Sequence, residues 1–381
     1  MKIAHVSMFY LPTFGGVEKV IEELAVRQSK KNNVDIYCCD SDKYKRIEKK
    51  EEIIDNINIH RIPYILRLSL NTFIWPSIFF RLLRDKRYDI VHSHVSGHLY
   101  VLLVGIVCKI KGMKHIHTTH CSWTDTKFRP FILRPFLFFN DLIFNRISFS
   151  LIDKVIAISE WEMPILSKYI KDESKIKIIH NGVDDVLFEK IDKNRFKKKY
   201  RLGKKVVLFF GRLNPTKGPE ILARAAIEIS KERKDIDFLW VGPDEGKADE
   251  VRNIIKDYKN MKYIGPIKGK RNIAEMYQSA SVYVLPSYRE GLPLTLFEAM
   301  ASKLPIVASP VNGVPFIMTK ENGIFVDYGD INGLKRAILK ILDDKKLIDK
   351  YKQNNFKKAK NYRWKNIEEV YMKEYLTLLN H

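Results

Sequence analysis

Cysteine is scarce in this chain. Its four copies, Cys38, Cys39, Cys108 and Cys121, show neither metal-ligand nor redox spacing, and they read as reduced thiols of a cytosolic protein. Long hydrophobic runs are also missing. The longest, residues 99–108, falls short of the roughly 20 residues that cross a bilayer. The opening Met1-Lys-Ile-Ala-His5 reads as a strand, not as a signal peptide. No repeat with a period of about 20 to 50 residues is found, which argues against a solenoid. No Gly-x-Gly-x-x-Gly follows the first strand, so a nicotinamide cofactor is disfavoured, and no Gly-Lys-Ser/Thr order makes a Walker loop. The recognition motifs of nucleic-acid-binding modules are absent too. Acidic residues are outnumbered, 45 to 67, leaving a formal charge of +22. Phosphorylated substrates, an anionic membrane surface, or a plain lysine-rich solvated face each account for that charge better than nucleic acid does.

What is present is length and alternation. The 381 residues suggest two domains, and 45% hydrophobic residues suffice for two cores. Short β-branched runs recur at residues 3–9, 34–39, 57–62, 90–94, 115–119, 155–159 and 176–179. They recur again at 206–211, 238–241, 263–265, 282–285, 306–308 and 324–326. Helical patterns lie between them, the clearest carrying Val17, Val20, Ile21, Leu24 and Ala25 on one face. Strand–helix alternation of this kind builds doubly wound parallel sheets. The expected fold class is α/β, with two Rossmann-like domains whose parallel sheets face a central cleft. Residues 1–183 form the first domain and 205–362 the second. Between them, 184–204 reads as a charged linker poor in strand formers.

The motif richest in chemistry is Ser287-Tyr-Arg-Glu290-Gly-Leu-Pro-Leu-Thr-Leu-Phe-Glu298. A strand ends before it, a Gly-Leu-Pro turn opens it, and a helical run follows. Free backbone N–H groups at such a turn favour phosphates and sugars, and carboxylates beside them would hold hydroxyl groups. Glu298 stands among Leu296, Phe297, Ala299 and Met300, where a carboxylate needs a partner. Phe210-Gly-Arg212-Leu-Asn-Pro-Thr-Lys217-Gly218 follows the first strand of the second half. Arg212 as a fork and Lys217 as a point charge, beside a helix start, make a diphosphate clamp; the bland reading is a solvated basic turn. Gly15-Gly16 stands after the first strand as either a ligand-facing turn or a plain one.

Histidines crowd the strand ends of the first half: His92, His94, His98, His115, His117 and His120. A metal would need a completing carboxylate close by, and none is there. The favoured reading is a single His120 at the cleft, hydrogen-bonded to a sugar. Asp40-Ser-Asp42 reads as a solvated loop. Residues 64–84 and 128–149 are aromatic and basic, as Phe73, Trp75, Phe80, Arg81, Phe131, Arg134 and Phe139 illustrate. They are either core helices or helices lying on a membrane surface.

Together these residues resemble the retaining GT-B glycosyltransferases of family four, the group with an E-x7-E motif. The resemblance runs through Gly15-Gly16-Val-Glu18, His92-Ser-His94, Thr118-Thr-His120, Asn181-Gly182-Val-Asp184, residues 211–218 and 286–301, and Trp364. It implies an acceptor-binding first domain, a nucleotide-sugar-binding second domain, and a C-terminal helix, 363–381, that crosses back. The implied catalytic residues are His120, Arg212, Lys217 and Glu290. The implied donor-binding set is Gly15, Gly16, Arg212, Lys217, Glu290, Gly291, Leu292, Pro293, Leu294 and Glu298, with Glu290 on sugar hydroxyls and Glu298 on the ribose. Neither a metal nor another cofactor is expected. The reaction expected is transfer of a hexose, with retention, from a UDP- or GDP-sugar to a glycan or lipid-linked glycan. The setting expected is cytoplasmic, peripheral to an anionic membrane surface and without nucleic acid. The competing expectation is a membrane-surface binding protein that keeps the fold without turnover. Two positions depart from the family pattern: Lys303 where Gly is common, and Phe316 where Glu is common.

Overall fold

The computed structural model describes residues 1–13, 15–42, 44–69, 72–123 and 143–380. They fall into two units, Met1–His180 with Lys365–His381, and Asn181–Trp364. In the first unit the strands are β1 (Lys2–Val6), β2 (Asn33–Cys39), β3 (Glu51–Ile54), β4 (Ile57–Ile62), β5 (Leu66–Ser69), β6 (Thr72–Ile74), β7 (Ile90–His94), β8 (Lys114–Thr118), β9 (Lys154–Ala157) and β10 (Ile176–Ile178). Eight of them form one sheet in the order β10-β9-β8-β7-β1-β2-β4-β3, and β5 and β6 form a separate hairpin. Every pairing in the large sheet is parallel except β3 with β4. Central parallel strands are covered on both faces and therefore read as continuous apolar runs. The Gly16–Gln28 and Leu99–Lys111 helices supply cover, the first through Val20, Ile21, Leu24 and Ala25.

In the second unit, β11 (Lys205–Phe210), β12 (Ile236–Val241), β13 (Met261–Tyr263), β14 (Val282–Leu285), β15 (Ile306–Ala308) and β16 (Gly323–Phe325) make an all-parallel sheet. Its order is β13-β12-β11-β14-β15-β16. The chain starts mid-sheet, winds out to one edge, then returns and winds to the other. Where the order reverses, between β11 and β14, the outgoing loops part and leave a crevice at the strand C-terminal ends. In the first unit the reversal falls between β1 and β7. Both units are thus Rossmann-like. The Pro219–Glu232 helix that follows β11 starts with Pro at its first turn, where no N–H is needed, after a left-handed Gly218. It buries Leu222, Ala223, Ala225, Ala226 and Ile229 on the sheet.

Every strand expected from the sequence is present, with the one at 263–265 shifted to Met261–Tyr263. Residues 184–204 are not a loose tether. Lys193–Tyr200 is a helix whose Phe196 is buried, and Arg195 pairs with Glu275 of the Lys270–Ser279 helix at 2.9 Å. One apolar residue per two turns is enough to seat a helix whose other faces are lysine. The aromatic segment 64–84 is not one helix either: it is the β5–β6 hairpin followed by the Ser77–Arg84 helix. Phe73, Trp75, Ile78 and Leu82 join the core, whereas Ile65, Leu66, Leu68 and Phe80 are exposed. Most of the second aromatic segment, including Phe131, Arg134 and Phe139, lies outside the described residues. The Asp40 carboxylate is buried, not solvated, and is held by Arg46 at 2.9 Å and Lys50 at 2.7 Å. At the chain end, Trp364 lies against Gly182, where a Cβ would come within 2.3 Å of its ring. The Trp364 amide donates to the Val183 carbonyl at 3.2 Å.

One glycine shows how tightly the crevice is built. Gly242, just past β12, has φ of 144°, and a Cβ there would meet the Gly211 carbonyl oxygen at 1.8 Å. Backbone would have to move to admit it. Gly242→Ala is expected to cost about 3 kcal/mol, read as a lower urea midpoint; an unchanged midpoint would show that the two backbones do not meet.

Candidate active site

The second unit brings two loops together at the reversal between β11 and β14. The Tyr288 amide donates to the Thr216 carbonyl at 2.8 Å, tying the loop after β14 to the loop after β11. Gly218 approaches so closely that a Cβ would lie 2.3 Å from the Pro286 carbonyl oxygen. Lys217 and Glu290, 73 residues apart, meet here: Lys217 Nζ donates to Glu290 Oε2 at 2.5 Å. Ser287 Oγ donates to Glu290 Oε1 at 2.6 Å. The Glu290 side chain is 2% exposed and that of Lys217 is 17% exposed. A carboxylate this deep survives because both oxygens have donors. Arg212 differs. Its side chain is 47% exposed and reaches Glu245 at 3.0 Å on the rim.

Beyond Glu290 the turn offers backbone donors. Among the described residues the Gly291 and Leu292 amides donate no hydrogen bond. The Leu292 carbonyl accepts from Asn181 Nδ2 at 2.7 Å, and the Gly291 carbonyl accepts from the Gly313 amide at 3.2 Å. These bonds hold the peptide plane while leaving its amide face open. Pro293 then caps the Leu294–Ala301 helix. Glu298 on that helix is half-buried and accepts from the Tyr277 hydroxyl at 2.8 Å, which is the partner its apolar neighbours require. Burial and the adjacent Glu298 push the Tyr277 phenol far up, so it stays a neutral donor. The two departures from the family pattern also find places. Lys303 has a left-handed φ of 60°, the conformation Gly adopts freely, and its ammonium lies 4.3 Å from the centre of the Phe356 ring. Phe316 is exposed.

In the first unit, Gly15 and Gly16 stand at the start of the Gly16–Gln28 helix, just after β1. Gly15 is extended, and a Cβ there would meet only the end of the Glu18 side chain, with Oε2 2.3 Å away. The histidines form two networks on opposite faces of the sheet. On one face, His120 Nε2 lies 3.0 Å from His94 Nδ1, His94 Nε2 lies 3.0 Å from His5 Nδ1, and His5 Nε2 lies 2.7 Å from Gln28 Oε1. On the same face His92 meets the Tyr375 hydroxyl at 2.6 Å and Thr118 at 2.7 Å, which docks the C-terminal Trp364–Leu379 helix. On the other face, Ser93 bridges His115 and His117, and Ser96 takes the remaining His117 nitrogen at 2.8 Å. His5, His92 and His94 stand close enough to hold a metal ion, but all six of their ring nitrogens already have hydrogen-bond partners.

His120 sits apart from the strands, in a left-handed turn with φ of 55°, followed by Cys121 at 51°. A non-glycine pair in that region is strained and needs outside support. Glu162 supplies it. Its buried carboxylate accepts from the Cys121 amide at 3.1 Å, Trp123 Nε1 at 2.9 Å and the Ile158 amide at 2.8 Å. Glu162, Gln28 and Tyr375 were not anticipated from sequence. Only a carboxylate just past β9, in Ser159-Glu-Trp-Glu162, hinted at the first.

The two halves of the chain match two family models. Residues 14–187 match "Glycosyltransferase Family 4", and residues 190–358 match "Glycosyl transferases group 1". The chain belongs to the GT-B glycosyltransferases of family four. A relative of this transferase, the UDP-Gal:alpha-D-GlcNAc-diphosphoundecaprenol alpha-1,3-galactosyltransferase of Escherichia coli, is 28% identical over 91% of this chain and 89% of its own. Among solved structures, HepE of Anabaena, in complex with UDP and glucose, superposes with a TM-score of 0.80 at 17% identity, covering 99% of the transferase and 100% of HepE. Sucrose-phosphate synthase of Thermosynechococcus elongatus gives 0.76 at 22% identity over 100% and 99%. These likenesses show the fold.

Two predictions follow from the geometry of the transferase. Lys217→Ala strands the buried Glu290 carboxylate and is expected to cost about 3 kcal/mol. Arg212→Ala breaks an exposed pair and should cost under about 1 kcal/mol; equal urea midpoints for the two variants would contradict the burial described. Acid should also weaken the first unit. Burial lowers His5, His98 and His115 to about 4 and His120 to about 3, and drives His92, His94 and His117 well below the usual value. The unfolded chain takes up these protons near pH 6.5 while the folded chain refuses them. Stability therefore falls as pH drops from about 6.5 toward 4, by about 2 kcal/mol at pH 5 for each histidine held near 4. His60, which burial lowers but Asp35 and Glu51 together raise above the usual value, acts in the opposite sense. Urea midpoints followed by near-UV circular dichroism at pH 7 and pH 5 check the sign.

Proposed function

We propose that this transferase moves a hexose, with retention of anomeric configuration, from a UDP- or GDP-sugar to a glycan or lipid-linked glycan, without a metal or other cofactor. The observation that carries the proposal is the meeting of Lys217, Glu290 and two open amides at the reversal point of the second sheet, with Arg212 on its rim. Fixed donors aimed where charge develops are the strongest single device available to such a reaction.

In this reading Arg212 and Lys217 grip the diphosphate, and the Gly291 and Leu292 amides, with Pro293 and Leu294 shaping the helix start, meet donor oxygens. Lys217 exchanges part of its bond with Glu290 for the diphosphate, and Glu290 then accepts from donor-sugar hydroxyls. Glu298, oriented by Tyr277, takes the ribose hydroxyls. In the transfer step the bond from the anomeric carbon to the phosphate oxygen breaks. The acceptor oxygen bonds to that carbon on the same face, and its proton passes to the departing phosphate. The growing charge on the diphosphate falls to Arg212, Lys217 and backbone dipoles. Gly15 and Gly16 offer amides to the donor, and His120 hydrogen-bonds a substrate hydroxyl.

HepE was solved with UDP, and the galactosyltransferase relative is named for a UDP-sugar and a diphosphoundecaprenol-linked acceptor. Those names support a UDP-sugar and a lipid-linked acceptor here. Exposed Ile65, Leu66, Leu68 and Phe80, with the exposed Arg84 one helical turn beyond Phe80, support contact with an anionic membrane surface, proposed here to be a cytoplasmic one. Among the described residues no helix is long and apolar enough to cross a membrane.

The test is a panel of nucleotide sugars, with release of the nucleoside diphosphate as readout. Arg212→Ala, which should fold normally, is expected to lower kcat/KM by about a hundredfold, equivalent to about 3 kcal/mol. Full turnover in that variant would remove the clamp. Addition of EDTA should leave the rate unchanged, and inhibition that added metal reverses would sink the metal-free reading.

A further inference from the structure

His120 is tied to the inside of the first unit through a chain of ring-to-ring hydrogen bonds whose polarity is set at its far end. Gln28 presents its carbonyl oxygen, Oε1, to His5 Nε2 at 2.7 Å. A carbonyl oxygen only accepts, so His5 must carry its proton on Nε2 and leave Nδ1 bare. The bare His5 Nδ1 faces His94 Nε2 at 3.0 Å, so His94 is protonated on Nε2 and bare on Nδ1. The bare His94 Nδ1 faces His120 Nε2 at 3.0 Å in turn. Each ring has one proton to place, because burial keeps these imidazoles neutral. The chain therefore has a single self-consistent direction while Gln28 holds its oxygen toward His5.

We infer that Gln28, His5 and His94 are positioning residues that hold His120 as the Nε2–H tautomer, with the Nδ1 lone pair presented to a substrate hydroxyl. Among the described residues His120 Nδ1 makes no hydrogen bond. The backbone is braced as well as the ring. His120 and Cys121 both occupy the left-handed region, and Glu162 holds the Cys121 amide. The rings themselves are packed: His92 and His94 lie 4.1 Å apart, and His5 and His94 stack at 5.3 Å. A His120 so held can accept a hydrogen bond from a sugar hydroxyl and cannot donate one, which selects the orientation of that hydroxyl. The inference rests on the proposed role of His120 in transfer.

The test uses the full-length transferase carrying isotopically labelled histidine. Proton–nitrogen correlation spectra read which ring nitrogen is protonated, and the His120 signals are assigned by their loss in His120→Gln. The expected result is a bare Nδ1 and a protonated Nε2 on His120. Gln28→Leu removes the acceptor that sets the direction. It should give a mixture of His120 tautomers and a kcat lower by about tenfold, with KM for the nucleotide sugar unchanged. Gln28→Glu keeps an oxygen toward His5 and should restore both. A proton on His120 Nδ1 in the wild-type protein overturns the inference, and that reading stands even if Gln28→Leu fails to fold. An unchanged tautomer and kcat in a folded Gln28→Leu overturns it too. Full turnover in His120→Ala overturns the role of His120 itself, and is told apart because the wild-type tautomer would still be the one expected.

Discussion

In both units the C-terminal ends of parallel strands meet at a point where the winding order reverses, and in the second unit that constraint brings the candidate site together. In the second unit the loops after β11 and β14 leave in different directions yet remain joined, through the Tyr288 amide on the Thr216 carbonyl and the close approach of Gly218 to Pro286. That juncture makes neighbours of Lys217 and Glu290, which lie far apart in sequence. The pair is buried, hydrogen-bonded on both carboxylate oxygens, and therefore costly to separate unless something anionic replaces what is lost. A pocket of this kind is held together by its own buried ion pair, with one cation at its centre. Arg212 adds a second cation that is free of this structural duty, because its own pair is on the rim.

The first unit solves a different problem. Its core contains histidines where a parallel sheet ordinarily carries valine or isoleucine. A buried imidazole has two nitrogens to satisfy, and the two faces of the sheet do so separately, with His115 Nδ1 left without a partner among the described residues. Gln28, Thr118 and Tyr375 serve one face, and Ser93 and Ser96 serve the other. The result is a rigid polar layer that docks the C-terminal helix through His92 and reaches the loop bearing His120 through His94. Such networks specify one arrangement strongly when complete. They also explain how a strained left-handed turn at His120 and Cys121 persists, since Glu162 fixes its backbone from the far side.

Strands, helix faces and the two loop motifs were legible along the chain because each depends on neighbours a few residues away. β2 and β11 announce themselves as apolar runs, and the Gly16–Gln28 helix by its spacing of Val20, Ile21, Leu24 and Ala25. β3 escaped notice because Glu51 and Glu52 lie on a half-exposed antiparallel edge. The β5–β6 hairpin was hidden in an aromatic, basic stretch that suits a helix equally well. The helix at Lys193–Tyr200 looked like a tether, since Phe196 is its single buried residue.

The amino-acid order by itself determined the α/β winding, the presence of Arg212, Lys217, Glu290 and His120 in loops after strands, and that of Glu298 on the helix that follows. All of these follow from local periodicity and from residue types placed next to turns. Tertiary structure alone decided the partners: Lys217 with Glu290, Tyr277 with Glu298, Glu162 with the turn after His120, and Gln28 with the line of imidazoles. Partnership in a folded chain is set by sheet order and burial, and a polar side chain carries no mark along the chain of the distant group that will satisfy it.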